Sequence, residues 1–71
     1  MLIAEVPKNM NESIRVSINE YKGHKFVDCR VFYEDNNGTW RPTKKGIALN
    51  NGAIEDIIKA LQKAKHALKG E

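Results

Sequence analysis

One segment with helical periodicity, at the C-terminal end, constrains this chain more than any other feature. Asn50-Asn51-Gly52 introduces it, with Asn51 as a suitable N-cap, and cations crowd its last turns, where the helix dipole favours them. Apolar residues recur there at the spacing of one helical face: Ile54, Ile57, Ile58, Leu61, Ala64 and Leu68. One helix covers only one face of a sheet, so the other face must meet solvent, a second subunit or a ligand.

The sequence before this helix has the two-residue period of β-strands. Residues 14–18 alternate apolar and polar side chains, and residues 25–33 are rich in β-branched and aromatic types. Residues 20–24 between them predict a turn in which Gly23 is free to take a positive φ.

A hairpin signal at residues 35–38 predicts further strands before the helix. Residues 39–41 form a third, short strand, which Pro42 ends or marks as a sheet edge. After the basic connection of residues 43–46, residues 47–49 form a fourth. The sequence therefore predicts an α+β fold, four antiparallel strands followed by one C-terminal amphipathic helix.

The first thirteen residues are less regular. Leu2, Ala4 and Val6 permit a brief strand, but Pro7 is expected to stop regular pairing, with a loop after it. We therefore treat residues 1–13 as an arm or short extra strand, ahead of a single domain at residues 14–71.

The long strand has two different faces. One parity holds Val27, Cys29, Val31 and Tyr33, and the other holds Phe26, Asp28, Arg30 and Phe32. The first is apolar and predicts the core face. The second is mixed, with a charge neighbourhood of Asp28 and Arg30 flanked by aromatic rings. Such a face is either covered by a partner or available to a ligand.

Size and charge narrow the class of protein. A chain of 71 residues holds one small domain, which is marginal alone, and oligomerisation is a common remedy. The net charge of +3 lies wholly within residues 15–46.

No stretch approaches the roughly 20 apolar residues that span a bilayer, and no signal-peptide pattern is present, so a membrane role is not expected.

Catalytic and metal-binding patterns are missing from the sequence. His24, His66 and Cys29 are too few and too scattered for a zinc site, and a single cysteine cannot form an internal disulfide. Residues 38–45 superficially resemble a phosphate-binding loop, but Thr43 stands where the second glycine belongs. We therefore expect a protein that is not an enzyme and has no cofactor, metal or small-molecule substrate.

What remains is a set of aromatic residues interleaved with cations around turns. Single-stranded nucleic acid requires this mixture, because cations neutralise phosphates and flat rings stack on bases at about 1–3 kcal/mol each. The same rings have structural alternatives: Phe26, Phe32 and Trp40 fit a core or dimer interface, and Tyr21 fits a ring that covers a hairpin.

Three stretches in register resemble a known family. They are Ile14-Arg15-Val16-Ser17-Ile18 with Tyr21-Lys22-Gly23, then Val27-Asp28-Cys29-Arg30 with Phe32-Tyr33, and finally Pro42-Thr43-Lys44-Lys45-Gly46-Ile47-Ala48-Leu49. Together they resemble the single-stranded-DNA-binding domain of the transcriptional coactivator p15 (positive cofactor 4, PC4) family, in its compact prokaryotic or phage form. The resemblance covers about residues 14–68.

The resemblance implies a homodimer with curved sheets that binds single-stranded or melted DNA with little sequence preference, in transcription, replication or repair. By position, Tyr21 and Tyr33 match stacking aromatics, Lys22 a phosphate contact, and His24 a common lysine. Trp40 has no matching ring in the family, and its stacking role follows from its position alone. The nucleic-acid-binding residues expected are Tyr21, Lys22, Gly23, His24, Arg30, Tyr33, Trp40, Arg41, Lys44, Lys45 and Gly46.

Three alternatives stay open at this point. Arg30 and Tyr33 are an odd number of residues apart, so either the strand bulges or one of them does not touch DNA. The ligand could be single-stranded RNA, since nothing in the sequence discriminates against a 2′-hydroxyl. The chain could instead be a dimeric protein-interaction module. A DNA-binding role implies a cytoplasmic, nucleoid-associated protein, or a nuclear one in a eukaryote.

Overall fold

The computed structural model describes residues 1–70 and contains four strands and one helix. They are β1 (Leu2–Asn9), β2 (Glu12–Tyr21), β3 (His24–Glu34), β4 (Trp40–Leu49) and α1 (Asn51–Lys69). The strands form one antiparallel sheet in the order β1-β2-β3-β4. The predicted α+β class and order of elements are confirmed, although the strands are divided differently along the chain.

The expectation that Pro7 ends regular pairing was wrong. Pro7 lies inside β1 and pairs with Ser13, and only residues 10 and 11 form the turn before β2. β1 is an edge strand, so a proline can face away from its one neighbour without removing a bond of the sheet. The register shifts between Leu2 and Ala4 and between Pro7 and Asn9 mark irregular pairing at both ends.

The two short strands predicted around the basic connection are one strand, β4. Arg30 pairs with Gly46 and Phe32 with Pro42, so two steps along β3 face four steps along β4. The surplus residues form a bulge, which lets the strand continue past Pro42. β4 is the other edge of the sheet, where a proline is tolerated.

The N-cap of α1 is Asn50 rather than Asn51. The Asn50 side-chain oxygen accepts a hydrogen bond from the Ala53 amide at 2.9 Å, and Asn51 is already helical. The cap follows directly on Leu49, the one buried hydrophobic residue among those described. Among the strands, α1 has its main contacts with β4, and Leu61 and Leu68 stay 64% and 79% exposed.

The sheet has one apolar and one mixed face, because directly paired residues share a face. The apolar face carries Ala4, Val6, Ile14, Val16, Ile18, Val27, Cys29, Val31, Ile47 and Leu49. The mixed face carries Glu5, Arg15, Ser17, Asn19, Tyr21, His24, Phe26, Asp28, Arg30, Phe32 and Trp40. The apolar parity predicted for β3 therefore joins apolar residues of the other three strands.

The folded chain is flat and broad, with principal extents of 41, 39 and 18 Å. Its radius of gyration is 14.2 Å, against about 11 Å for a compact domain of this length. The apolar residues at the centre of β2 and β3 are only half-buried. No helix in residues 1–70 is both long and apolar enough to cross a membrane.

Candidate nucleic-acid interface

Two arginines meet at the centre of the mixed face. Arg15 of β2 and Arg30 of β3 are directly paired. Like charges in that relation destabilise a sheet unless each is compensated. Arg15 Nε donates to the Glu5 carboxylate at 2.6 Å, and Arg30 donates to both oxygens of Asp28 at 3.0 Å. The face therefore carries two ion pairs side by side.

All three guanidinium nitrogens of Arg30 donate hydrogen bonds. Besides the two bonds to Asp28, its Nη1 donates to the Thr43 carbonyl of the β4 bulge at 2.8 Å. The hydrogen bond and the charge of Asp28 raise the pKa of Arg30, so its positive charge is permanent. The predicted neighbourhood of Asp28 and Arg30 is present, and any phosphate at Arg30 competes with Asp28.

Aromatic rings flank the arginines. The Arg15 guanidinium carbon lies over the Phe32 ring, 4.5 Å from its centroid, and 6.0 Å from that of Trp40. Both distances are within the reach of a cation–π interaction. The sequence-predicted set included Trp40 but missed Arg15 and Phe32. Arg15 alternates with Ile14 and Val16 along the sequence, which already indicates that it lies on the polar face of the strand. Which rings and carboxylates it contacts depends on the pairing register.

The β2–β3 hairpin presents an aromatic ring and a cation together. Its loop is Lys22-Gly23, with positive φ at both residues, 51° and 81°, as a two-residue turn of type I′ requires. The sequence had predicted a positive φ for Gly23 alone, and the positive φ of Lys22 was not expected. Tyr21 is 67% exposed, and the Lys22 ammonium lies 5.4 Å from the centroid of its ring. Tyr21 and His24 pair with each other on the mixed face.

The β3–β4 hairpin is organised by Asp35. One oxygen of its carboxylate accepts from the Asn37 and Thr39 amides at 2.9 and 3.0 Å, and the other accepts from Arg41 Nε at 2.6 Å. The bond from Arg41 is the main cause that lowers the pKa of Asp35, and the two amides add to it. Arg41 is thus compensated in the same way as Arg15 and Arg30.

The bulge of β4 presents two lysines without such compensation. The ion pairs within residues 1–70 include neither Lys44 nor Lys45, and both are exposed. Thr43 fixes the bulge, because its hydroxyl donates to the Val31 carbonyl at 2.7 Å and accepts from the Lys45 amide at 3.1 Å. Gly46 is needed for close approach, since a Cβ there would lie 2.6 Å from the Cys29 carbonyl oxygen.

Tyr33 does not share a face with Arg30. The β2–β3 register runs without interruption from the Glu12–Tyr33 pair to the Tyr21–His24 pair, so β3 has no bulge toward β2. Tyr33, which is 40% exposed, pairs with Glu12 and Arg41 at the end of the apolar face. The structure therefore places Tyr21, His24, Arg30 and Trp40 on one face, with Tyr21 and His24 at one end of the sheet and Trp40 near the other. Tyr33 and Arg41 lie on the opposite face.

Comparison with known proteins identifies the family to which this chain belongs. The family model for "Transcriptional Coactivator p15 (PC4)" matches residues 8–60, which contain β2, β3, β4 and the first half of α1. The chain belongs to the PC4 family. The match contains every predicted nucleic-acid-binding residue. Curated protein sequences give no match.

Solved PC4 structures are similar to this chain in fold. BPSL1147, a PC4 homolog from Burkholderia pseudomallei, is 32% identical with a TM-score of 0.85, over 92% of this chain and 88% of that one. A bacteriophage T5 homolog of the eukaryotic coactivator, implicated in recombination-dependent DNA replication, has a TM-score of 0.63 at 21% identity. That match covers 99% of this chain and 77% of the phage chain, and at this identity it shows the fold alone.

Membership of the PC4 family supports a DNA-binding, coactivator-like role for this chain. Residues 1–70 contain no cluster of three or more histidine, cysteine or acidic residues that could hold a metal ion. Glu5, Arg15, Asp28 and Arg30 of the mixed face form two ion pairs.

Proposed function

We propose that this chain is a homodimeric, non-enzymatic protein that binds single-stranded DNA with little sequence preference. It stabilises melted DNA during transcription, replication or repair. The observation that carries the proposal is the separation of the two sheet faces. The mixed face carries Tyr21, Phe32, Trp40 and the arginines Arg15 and Arg30. The opposite face is apolar except at its end, where Tyr33 pairs with Arg41.

The cations divide into two groups with different roles. Lys22, Lys44 and Lys45 form no ion pair with a carboxylate among residues 1–70, so their charge is available to phosphates. Lys45 does act on Glu12, whose pKa is lowered chiefly by the Asn9 hydrogen bond and further by the charges of Lys8 and Lys45. Arg15, Arg30 and Arg41 each hold a carboxylate, so their guanidinium planes contribute shape and hydrogen bonds more than net charge. This division suits a ligand whose backbone is charged and whose bases are flat.

The exposed apolar surface supports the homodimer. The helix leaves Ile58, Leu61 and Leu68 between 46% and 79% exposed, and Ile47 of β4 is 52% exposed. Large apolar side chains exposed to this extent on the helix and on β4 are unfavourable in water and suit an interface. A second copy that covers the apolar face and helix leaves the mixed face of each subunit open to DNA.

The mechanism is passive, since binding the unpaired strand lowers the free energy of melted DNA and no bond is made or broken. If about four to six phosphates are neutralised, the logarithm of affinity falls with the logarithm of salt concentration with a slope of roughly −3 to −4. Stacking on the rings adds a part that depends little on salt.

A titration of labelled oligo-dT by fluorescence anisotropy, at two salt concentrations, tests the proposal. We expect tight, salt-sensitive binding for which a matched duplex competes poorly. An RNA oligomer of the same sequence distinguishes the single-stranded-RNA alternative. Binding no tighter than about 10⁻⁴ M at physiological salt would contradict the proposal and favour a protein-interaction module.

A further inference from the structure

Arg15, Phe32 and Trp40 form a layered cluster on the mixed face. We propose that this cluster, the Arg15 platform, is a binding subsite for one unpaired nucleobase, and that Glu5 positions it. The proposal rests on the proposed function and deepens it. It adds Arg15 and Phe32 to the DNA contacts and gives the N-terminal strand a part in binding.

Arg15 and Phe32 are stacked on each other. The guanidinium lies over the Phe32 ring at 4.5 Å, so one side of its plane is covered by a ring. The Arg15 side chain is 28% exposed and Trp40 is half-buried, so both keep accessible surface in the single chain. Guanidinium planes and aromatic faces are the two surfaces on which unstacked bases are held in proteins.

Glu5 fixes the guanidinium in this position. It lies directly opposite Arg15 in the β1–β2 pairing, and its Oε2 accepts from Arg15 Nε at 2.6 Å. A short charge-assisted bond of this type orients the planar group. It also offsets the charge of Arg15, so the platform attracts a base by stacking, with little added attraction for phosphate.

The chain contains one tryptophan, Trp40, which makes the platform directly observable. Stacking of a base on an indole ring quenches its fluorescence. We expect oligo-dT to quench Trp40 at the concentration at which anisotropy reports binding. An abasic oligomer with the same number of phosphates should bind more weakly and leave the emission unchanged.

Phe32→Leu tests the ring beneath Arg15. We expect affinity for oligo-dT to fall roughly five- to 150-fold, the range for one lost stacking contact, with the salt slope unchanged. Phe26→Leu is the matched control, since Phe26 is half-buried on the same face, near the other hairpin. Phe26 lies at the Tyr21 end of the mixed face, so whatever its affinity, this variant should keep full Trp40 quenching when saturated with oligo-dT.

Glu5→Gln tests the positioning role. We expect weaker Trp40 quenching, because Arg15 is no longer held, together with a salt slope steeper by about 0.7, because one cation loses its partner. Glu5→Asp should restore part of the quenching. A loss of stability alone would change neither the salt slope nor the quenching per bound oligomer.

The outcomes separate the platform from the proposed function. Anisotropy without quenching, or equal loss of quenching at saturation in Phe32→Leu and Phe26→Leu, overturns the platform and leaves single-strand binding intact. Sedimentation of Phe32→Leu as a monomer also overturns it, because the ring then belongs to a subunit interface. Failure of wild-type protein to bind oligo-dT at all overturns both proposals.

Discussion

Arg15 and Arg30 are directly opposed across β2 and β3, and each is bound by a carboxylate. Glu5 of the neighbouring strand β1 binds Arg15, and Asp28, two residues earlier on β3, binds Arg30. Two positive charges in that relation repel, so the carboxylates allow the pair to exist at the centre of the sheet. They also lower the net attraction of the face for phosphate. The arrangement keeps planar groups in place while most of the free charge lies at the hairpin and the bulge.

Asp28→Asn should alter stability and binding in opposite directions. It leaves Arg30 without its charge partner beside Arg15, so we expect a lower Tm. The same cation becomes available to phosphate, so binding at low salt should tighten and the salt slope should steepen by about 0.7. Asp56→Asn, which removes an equal charge from the exposed side of α1, is the control. Unchanged slope in Asp28→Asn would mean that Arg30 lies away from the DNA.

Replacing Lys44 and Lys45 together by Ala should weaken binding and flatten the salt slope by about 1.4, since each lysine accounts for one phosphate of a single strand. The measurement is anisotropy of oligo-dT across a salt series. Lys59 and Lys63 of α1, replaced by Ala in the same way, give the matched variant and should leave the slope as it is. Equal flattening in both doubles would indicate attraction by net charge alone.

Tyr21→Ala should cost about 1–3 kcal/mol of binding free energy with little change in salt slope, even for short oligomers. Tyr33 lies on the other face, so a strand reaches both rings only by passing around the sheet end. We therefore expect Tyr33→Ala to reduce affinity only for oligomers long enough to make that path. A series of oligo-dT lengths checks this. An equal loss at the shortest length would contradict the assignment of opposite faces.

The Asp35 hairpin predicts a pH dependence of stability. Asp35 has a pKa below its ordinary value of 3.8 in the folded protein, chiefly through Arg41. Its contribution is therefore complete above pH 3.8 and is lost as the pH falls through the lowered pKa. Asp35→Asn should have a lower Tm than the wild type at neutral pH. The two Tm values should converge once the pH falls below the lowered pKa of Asp35. A difference that stays constant with pH would exclude this ion pair as its source.

Leu61→Glu should disrupt the proposed dimer, because it places a charge in the apolar stripe of α1 where Leu61 is 64% exposed in the single subunit. Sedimentation velocity should show a monomer with a lower Tm. Gln62→Glu adds the same charge one residue further along the helix, outside the apolar stripe, and should stay dimeric. If both variants remain dimers, the subunits associate through another surface.

The sequence by itself determined the type and order of the elements. Period-two alternation in residues 14–18 and 25–33 and helical spacing from Ile54 to Leu68 are local signals that each segment carries alone. The family resemblance also depends on local motifs, and the family model confirms it. Where the prediction was wrong, at Pro7 and in the division of β4, the deciding fact was position at a sheet edge, which no local pattern contains.

Only the tertiary structure decided which residues meet. The uninterrupted β2–β3 register separates Tyr33 from Arg30, brings Arg15 beside Arg30 and, with the bulge of β4, brings Thr43 to the Arg30 guanidinium. Pairing register is a long-range property, since a shift of one residue moves a whole strand's side chains to the opposite face. The sequence therefore predicted most of the rings and cations of the candidate interface, without Arg15 and Phe32, while their partners and faces required the folded sheet.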